Sequence, residues 1–282
     1  MGGKYGLAAL AAWLVAAPGL AHAVGREVLY LNFSDGTEEV TRSDVDDATR
    51  NHSMMGSVTP YPAFAWPGMD DADARRALVL DLTRQIDEAF APYDIVVTST
   101  RPVAGPYTMV MVGGDPALFQ MDPRVAGVAF MDCDNRQERN VVFAFPVPLG
   151  GSLHGLFTTI AQEAAHAFGL QHSSDPNDLM YPRVDLSQRS FQDRASAVAS
   201  PKYCDGDVQN SHRRLLQLVG AWKGGDKATA QAIAASHEEP TEVMGGCSAA
   251  GTQRGSAGPW GPFGALLLVF ALRACGRGGR RL

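Results

Sequence analysis

The sequence predicts one α+β domain, in which short strands and helices follow one another and a last helix lies near the domain's end. Short segments rich in β-branched and aromatic residues are separated by turns that contain Gly and Pro. Other segments repeat their apolar residues at helical intervals. The body of about 200 residues suffices for a single core and contains no visible repeat.

The first part of the body is predicted to hold a strand, an irregular segment and a helix. Glu27–Phe33 reads as a strand, because it is rich in β-forming residues and a turn signal follows it. The polar segment 43–70 contains three prolines and is expected to be irregular. Residues 71–90 place their apolar side chains on one helical face, and Asp71 or Asp73 is the expected N-cap.

Short strands and two more helices are predicted in the second part. The strands are expected in the segments 93–100, 107–112, 127–131 and 140–145. A helix is predicted from Leu156 to Phe168, because Gly169 then ends the pattern. A last helix is expected from about Asn210 to Trp222. The domain is therefore predicted to span residues 24–222.

The N-terminus is typical of a secretory signal peptide. Lys4 precedes an uncharged apolar run from Tyr5 to Leu20, and Ala21-His22-Ala23 then gives a small-x-small cleavage pattern. Residues 1–23 are therefore expected to be removed, which leaves Val24 as the first residue of the mature chain. A membrane anchor that stays uncleaved is the alternative.

The C-terminus has a cysteine motif, an apolar stretch and a basic end. Cys247 precedes the uncharged segment 255–272, which is near the lower length limit for crossing a bilayer, and four arginines follow. Residues 247–282 thus resemble the MYXO-CTERM class of bacterial sorting tails, which implies processing near Cys247 and display at the cell surface. A simple tail anchor is the alternative. The segment 223–246, rich in Ala, Gly, Glu and Pro, is expected to be a flexible stalk.

These ends imply an exported protein that is bound to the cell surface or the outer membrane through its tail, or released outside the cell. Between Val24 and Gln253 the chain has 18 basic against 30 acidic residues, a net charge of −12. Such an acidic body argues against a nucleic-acid partner, because phosphate binding needs clustered Lys and Arg.

Two cysteines, Cys133 and Cys204, lie inside the predicted domain. In an oxidising compartment two such cysteines usually pair, so a Cys133–Cys204 disulfide is predicted. A pair of cysteines cannot by itself form a cysteine-type zinc site. Any metal ligands must therefore come from other residues.

The segment from Gln162 to His172 has the residue types and the spacing of a metal site. Gln162 and His166 are four residues apart, so they share one face of the predicted helix, with Glu163 beside them. Gly169 can adopt a positive φ and turn the chain, which would bring His172 back towards that face. Two imidazoles and a third ligand suit Zn²⁺, which in catalytic sites keeps an open position for water.

This segment resembles the metzincin signature, His-Glu-x-x-His-x-x-Gly-x-x-His followed by a methionine turn. The match runs from Glu163 to Pro182 and includes Leu179-Met180-Tyr181-Pro182, which is typical of the matrixin branch, whereas Gln162 stands where the first histidine is expected. His154 lies eight residues earlier, roughly 12 Å along a helix axis, and is not expected to replace that histidine.

The resemblance implies a zincin-like fold, in which a twisted mixed sheet packs against an active-site helix and a C-terminal helix follows. It also implies a zinc endopeptidase that hydrolyses peptide bonds through a metal-bound water. Glu163 would be the general base, and Met180 would lie beneath the metal. The implied zinc ligands are His166, His172 and Gln162. Tyr181 and Pro182 would wall the pocket for the side chain after the scissile bond, and the segment 140–146 would be the edge strand that bears the substrate.

Two functions remain open at this point. The first is a surface-anchored, monomeric zinc metalloendopeptidase that acts on peptides or proteins, and the presence of Glu163 favours it because a binding module needs no general base. The second is a catalytically silent metzincin fold that binds peptides or proteins at the cell surface. The replacement of a histidine by Gln162 favours this second hypothesis, since an amide oxygen is a poorer zinc ligand than imidazole.

Overall fold

The computed structural model describes residues 26–67, 69–184, 189–225, 227 and 231. The predicted signal peptide 1–23 and the predicted tail 247–282, with Cys247, lie outside the described residues, and so does most of the predicted stalk 223–246. Within the part of the chain that is described, no helix is long and apolar enough to cross a membrane.

The described residues form nine strands, three α-helices and three short 3₁₀ helices. The strands are β1 (Glu27–Phe33), β2 (Thr41–Arg42), β3 (His52–Ser53), β4 (Ile95–Thr98), β5 (Thr108–Val112), β6 (Gly127–Val128), β7 (Val141–Ala144), β8 (Ser196–Ala197) and β9 (Val208–Gln209). The α-helices are α1 (Ala72–Ala89), α2 (Leu153–Ala167) and α3 (Ser211–Leu218). Short 3₁₀ helices occur at Ala48–Arg50, Pro116–Phe119 and Val147–Leu149.

The main sheet has five strands in the order β4-β1-β5-β7-β6. Its first four strands are parallel, whereas β6 runs antiparallel to β7. The chain thus has a mixed α/β fold with a mixed sheet and, among the described residues, three α-helices, which is compatible with the predicted α+β class. The prediction that the segment 140–146 forms the edge strand is wrong, because β7 is paired on both sides and β6 lies at the edge.

The sheet is covered on both faces, as parallel strands require. In β1, Leu29 and Leu31 pack in the same cluster as the apolar faces of α1 and α2. Tyr30, which lies between them, packs on the opposite face with Val40 and with Tyr61, which belongs to the irregular segment 43–70. The period-two alternation of β1 therefore supplies two separate cores.

The helix boundaries follow from their caps. Asp71 caps α1 as predicted, since its carboxylate accepts a hydrogen bond from a backbone N–H of the first turn. Ser152 caps α2 in the same way, so this helix begins at Leu153, earlier than predicted, and includes His154. The last helix, α3, ends at Leu218 rather than at Trp222.

The predicted disulfide between Cys133 and Cys204 is confirmed. The two cysteines are 71 residues apart in the sequence. Cys133 follows β6, whereas Cys204 lies between β8 and β9, in the segment 196–209 that we call the β8–β9 ribbon. The disulfide therefore ties this ribbon to the segment that follows the edge strand.

Candidate metal centre

Helix α2 and the bend after it bring the predicted ligands together. The helix is buried along most of its length, and Gln162, Glu163 and His166 are 4, 7 and 7% exposed. Gly169 has a φ of 90°, and a Cβ added there would lie 2.9 Å from the backbone oxygen of Cys133. Only a glycine fits this bend without strain, because the space is filled and the φ is left-handed.

The imidazoles of His166 and His172 meet after this bend. Their Nε2 atoms are 3.2 Å apart, and their ring planes are inclined at 82°. Two nitrogen ligands on a tetrahedral zinc, each bonded at 2.0–2.1 Å, would be about 3.4 Å apart. The two nitrogens are therefore spaced as ligands of one ion. They are equally close enough for one ring to donate a hydrogen bond to the other.

A backbone contact fixes the protonation of His166. Its Nδ1 lies 2.7 Å from the backbone oxygen of Leu170. Because a carbonyl oxygen only accepts, Nδ1 carries the proton in the neutral ring. The lone pair is then on Nε2, which is the nitrogen that faces His172. This is the arrangement in which a histidine binds a metal.

Burial also favours the neutral form of both rings. It lowers the pKa of His166 to about 3, and the nearby His172 adds to this effect. Burial lowers the pKa of His172 as well. Both imidazoles are therefore uncharged near pH 7, as metal binding requires.

Glu163 lines a cavity of about 750 Å³ together with Gln162 and His172. Burial raises the pKa of Glu163 to about 8, so its side chain is mostly a neutral acid at pH 7 unless a positive charge lies nearby. The backbone of Gly127 in β6 closes one side of the carboxyl group. A Cβ added to Gly127 would lie 2.6 Å from Oε1 of Glu163. The absence of a side chain at this position makes room for Glu163.

Gln162 uses its amide nitrogen to hold the loop that contains Met180. Its Nε2 donates hydrogen bonds to the backbone oxygens of Leu179 and Tyr181, each at 2.6 Å. Because both amide hydrogens face carbonyl oxygens, Oε1 is the one atom of this amide that could bind a metal.

The residues fit a metal in part. The imidazoles of His166 and His172 have the spacing and the protonation of two ligands, whereas position 162 supplies no third imidazole. No group of three or more His, Cys, Asp or Glu side chains suitable for a metal occurs among the described residues. Among the described residues that line the cavity beside the imidazoles, Gln162 offers Oε1 as the candidate third protein ligand.

The loop that follows the ligands is well anchored. Met180 is fully buried, and its backbone N–H donates to Asp178 at 2.9 Å. Pro182 lines the cavity of about 750 Å³. Tyr181 does not belong to that lining, since its ring lies beneath the guanidinium of Arg189, 5.0 Å from the ring centre.

Several residues at this site have no signal in the sequence. Gly127 and Thr159 line the cavity beside Glu163, and the rim includes Arg124 and Arg183. Gly127 lies in a predicted strand, but no pattern indicated that its missing side chain makes room for a carboxyl group. The contact depends on how the strand packs against α2.

Neither the models of known protein families nor the curated proteins include a match to this chain. The assignment of a function therefore rests on the residues and on their geometry.

Proposed function

We propose that this chain is a matrixin-like metzincin, a zinc-dependent metalloendopeptidase that is exported and held at the cell surface. One observation carries the proposal: two neutral imidazoles face each other at 3.2 Å, and the cavity beside them contains the carboxyl group of Glu163. A substrate that enters the cavity can reach both His172 and Glu163.

His166 and His172 would hold the zinc, with Oε1 of Gln162 as the third protein ligand. When bound, zinc polarises a substrate carbonyl group and makes a water molecule more acidic. The carbonyl oxygen of Leu170 keeps Nε2 of His166 free of a proton.

Glu163 would act as the general base. Its Oε atoms would accept the proton of the attacking water and return it to the leaving amine. Burial alone keeps the pKa of this carboxyl at about 8. Glu163 therefore needs a nearby positive charge to be ionised at neutral pH, which would couple its role as a base to occupancy of the imidazole pair.

The edge strand would bind the peptide. Within the described residues, β6 pairs with β7 alone, so its other edge can accept a further strand. The cavity is lined by Gly127 on this strand and by Pro148 and Pro182 on two other segments. An extended peptide along β6 would thus pass beside Glu163.

The test is a metal assay combined with a proteolysis assay on the purified protein. We expect about one zinc per chain, as a single site implies, and cleavage of a labelled unfolded protein. Glu163→Ala should keep the zinc and lose the proteolysis, whereas Glu138→Ala, at an exposed position, should retain both. A wild-type protein without zinc, or a Glu163→Ala variant that still cleaves, would contradict the proposal.

The second candidate is a catalytically silent metzincin fold that binds peptides or proteins. The hydrogen bonds from Gln162 to Leu179 and Tyr181 favour it, because they hold the loop without any metal. Such a protein would bind peptides in the presence of a chelator and would cleave none. Gln162→His should then create zinc binding, whereas in the enzyme it should tighten a binding that already exists.

Export and surface display rest on chain ends outside the described residues. We propose that the mature protein begins at Val24 and that its tail is processed near Cys247. N-terminal sequencing and mass measurement of the protein from its native host would test both cleavages. If the protein retains residues 1–23, this segment would be the uncleaved membrane anchor rather than a signal peptide.

A further inference from the structure

The peptide unit between Leu170 and Gln171 links one imidazole to a distant side chain. Its carbonyl oxygen, on Leu170, accepts the hydrogen bond from Nδ1 of His166 at 2.7 Å. Its N–H, on Gln171, donates to Oε1 of Gln209 at 2.8 Å. Because a peptide unit is planar and rigid, this one unit connects the hydrogen bond of Gln209 with that of His166.

The next peptide unit, which leads into His172, is held by the same side chain. Nε2 of Gln209 donates to the carbonyl oxygen of Gln171 at 2.7 Å and to the hydroxyl of Ser211 at 3.2 Å. The side-chain amide of Gln209 thus accepts a hydrogen bond from the N–H of Gln171 and donates one to the C=O of the same residue. These two bonds fix which end of the Gln209 amide is the oxygen and which is the nitrogen. Gln209 is 7% exposed, so water competes little for these bonds.

Gln209 is the last residue of the β8–β9 ribbon, which is anchored at several points. Cys204 ties this ribbon to Cys133 through the disulfide. The side-chain oxygen of Gln171 accepts a hydrogen bond from the backbone nitrogen of Cys204 at 2.8 Å. The carbonyl oxygen of His172 also accepts a bond from the ribbon, at 2.9 Å. The ribbon and the segment that enters His172 therefore form one bonded unit.

We propose that Gln209 is a positioning residue for both imidazoles, an inference whose consequence for zinc rests on the proposed function. Through the first peptide unit, Gln209 holds the Leu170 oxygen that keeps the proton on Nδ1 of His166. Through the second unit, it sets the direction in which His172 leaves the backbone. The side-chain hydrogen bonds of Gln209 go to Gln171 and Ser211 rather than to an imidazole, and Gln209 does not line the cavity, so it would act through the backbone.

The first test needs no metal. Gln209→Met keeps the length of the side chain and removes both bonds to Gln171, whereas Gln217→Met makes the same change at an exposed position of α3. Nitrogen-15 NMR of the metal-free full chain should show a protonated Nδ1 of His166 in the wild type and in the control. In Gln209→Met we expect a mixture of the two tautomers and a shifted signal from His172.

A second variant covers the case in which Gln209→Met does not fold. Gln209→Glu retains an acceptor for the N–H of Gln171 but loses the donor to its carbonyl oxygen. The His166 signals should then stay near their wild-type positions, while those of His172 move. Unchanged signals from both imidazoles in either folded variant would overturn the proposal.

The second test follows cobalt(II) binding by the full chain through its visible absorption bands. Loss of a partner outside the ligand sphere typically weakens metal binding roughly 10- to 100-fold, and we expect this for Gln209→Met. Gln217→Met should bind as tightly as the wild type. A wild-type affinity in Gln209→Met would count against the positioning role. If the wild type binds no cobalt, the proposed function fails, and the NMR comparison decides the positioning role separately.

Discussion

The side-chain nitrogen of Gln162 donates a hydrogen bond to the backbone oxygen of Tyr181 at 2.6 Å. The same nitrogen donates to Leu179 at an equal distance, so one amide holds both ends of the segment that contains Met180. The residue that replaces the expected histidine therefore has a role in the fold that does not depend on a metal.

Gln162→Met should destabilise the metal-free protein by about 2 kcal/mol, because two buried or half-buried carbonyl oxygens lose their donors. Urea unfolding in the presence of a chelator measures this change. Gln217→Met is the matched control and should lie within about 0.5 kcal/mol of the wild type, as is usual for surface positions. If both variants were equally stable, the bonds from Gln162 would not contribute to the free energy of unfolding.

Gly127→Ala should impair the site without touching the imidazoles. The new Cβ would lie 2.6 Å from Oε1 of Glu163 and 2.7 Å from the methyl group of Thr159, so a side chain must move. Overpacking of this kind costs about 1–3 kcal/mol. If the protein is the proposed enzyme, we expect proteolysis to fall at least about tenfold, as a displaced base implies, with zinc content unchanged.

A double-mutant cycle separates this clash from a general effect on the sheet. In the Glu163→Ala background the Gly127→Ala change should cost less stability than in the wild type, because one of the two clashing side chains is gone. Equal costs in both backgrounds would show that Glu163 does not press against this strand.

The main strands and helices could be predicted because their patterns are local. Glu27–Phe33 has the bounds that its residues predicted, and Asp71 caps α1 as expected. The edge strand could not be assigned, because β6 has two residues and its place depends on pairing with β7. A strand of that length leaves too few positions for a period to show.

In the candidate site, too, the features set by local patterns could be predicted, whereas the contacts between distant segments could not. The helix period and the bend at Gly169 sufficed to predict that His166 and His172 approach each other. The contacts of Gln162 with Tyr181 and of Gln209 with Gln171 join segments that are distant in sequence. Such contacts depend on how loops pack against α2, and no local pattern encodes them.

The disulfide should contribute strongly to stability. It closes a loop between Cys133 and Cys204, which are 71 residues apart, and a loop of this length corresponds to about 4 kcal/mol in the chain-entropy account. The double variant Cys133→Ser/Cys204→Ser should therefore unfold at a much lower urea concentration. Gln217→Met, at an exposed position of α3, is the control and should unfold like the wild type. Equal midpoints for the double variant and the control would contradict this prediction.

The stability of the metal-free protein should depend on pH through Glu163. Burial raises the pKa of Glu163 from 4.5 to about 8 in the folded state, so the folded protein holds a proton that the unfolded chain has lost. The contribution of Glu163 to the free energy of unfolding is largest below about pH 4.5, and it falls as the pH rises towards 8. Because the pKa of His166 is lowered, its contribution to the free energy of unfolding instead increases with pH, between about pH 3 and pH 6.5.

Between pH 6.5 and 8, Glu163 should thus lower the free energy of unfolding by roughly 1.5 kcal/mol. Glu163→Gln carries no titrating carboxyl group and should lose this dependence, which urea titrations of both proteins at several pH values would measure. If zinc binds, its charge should lower the pKa of Glu163, and the slope of the wild type should flatten in its presence. Parallel pH profiles for the wild type and Glu163→Gln without metal would mean that the carboxyl group is already ionised in the folded protein, and its burial would then not control its proton.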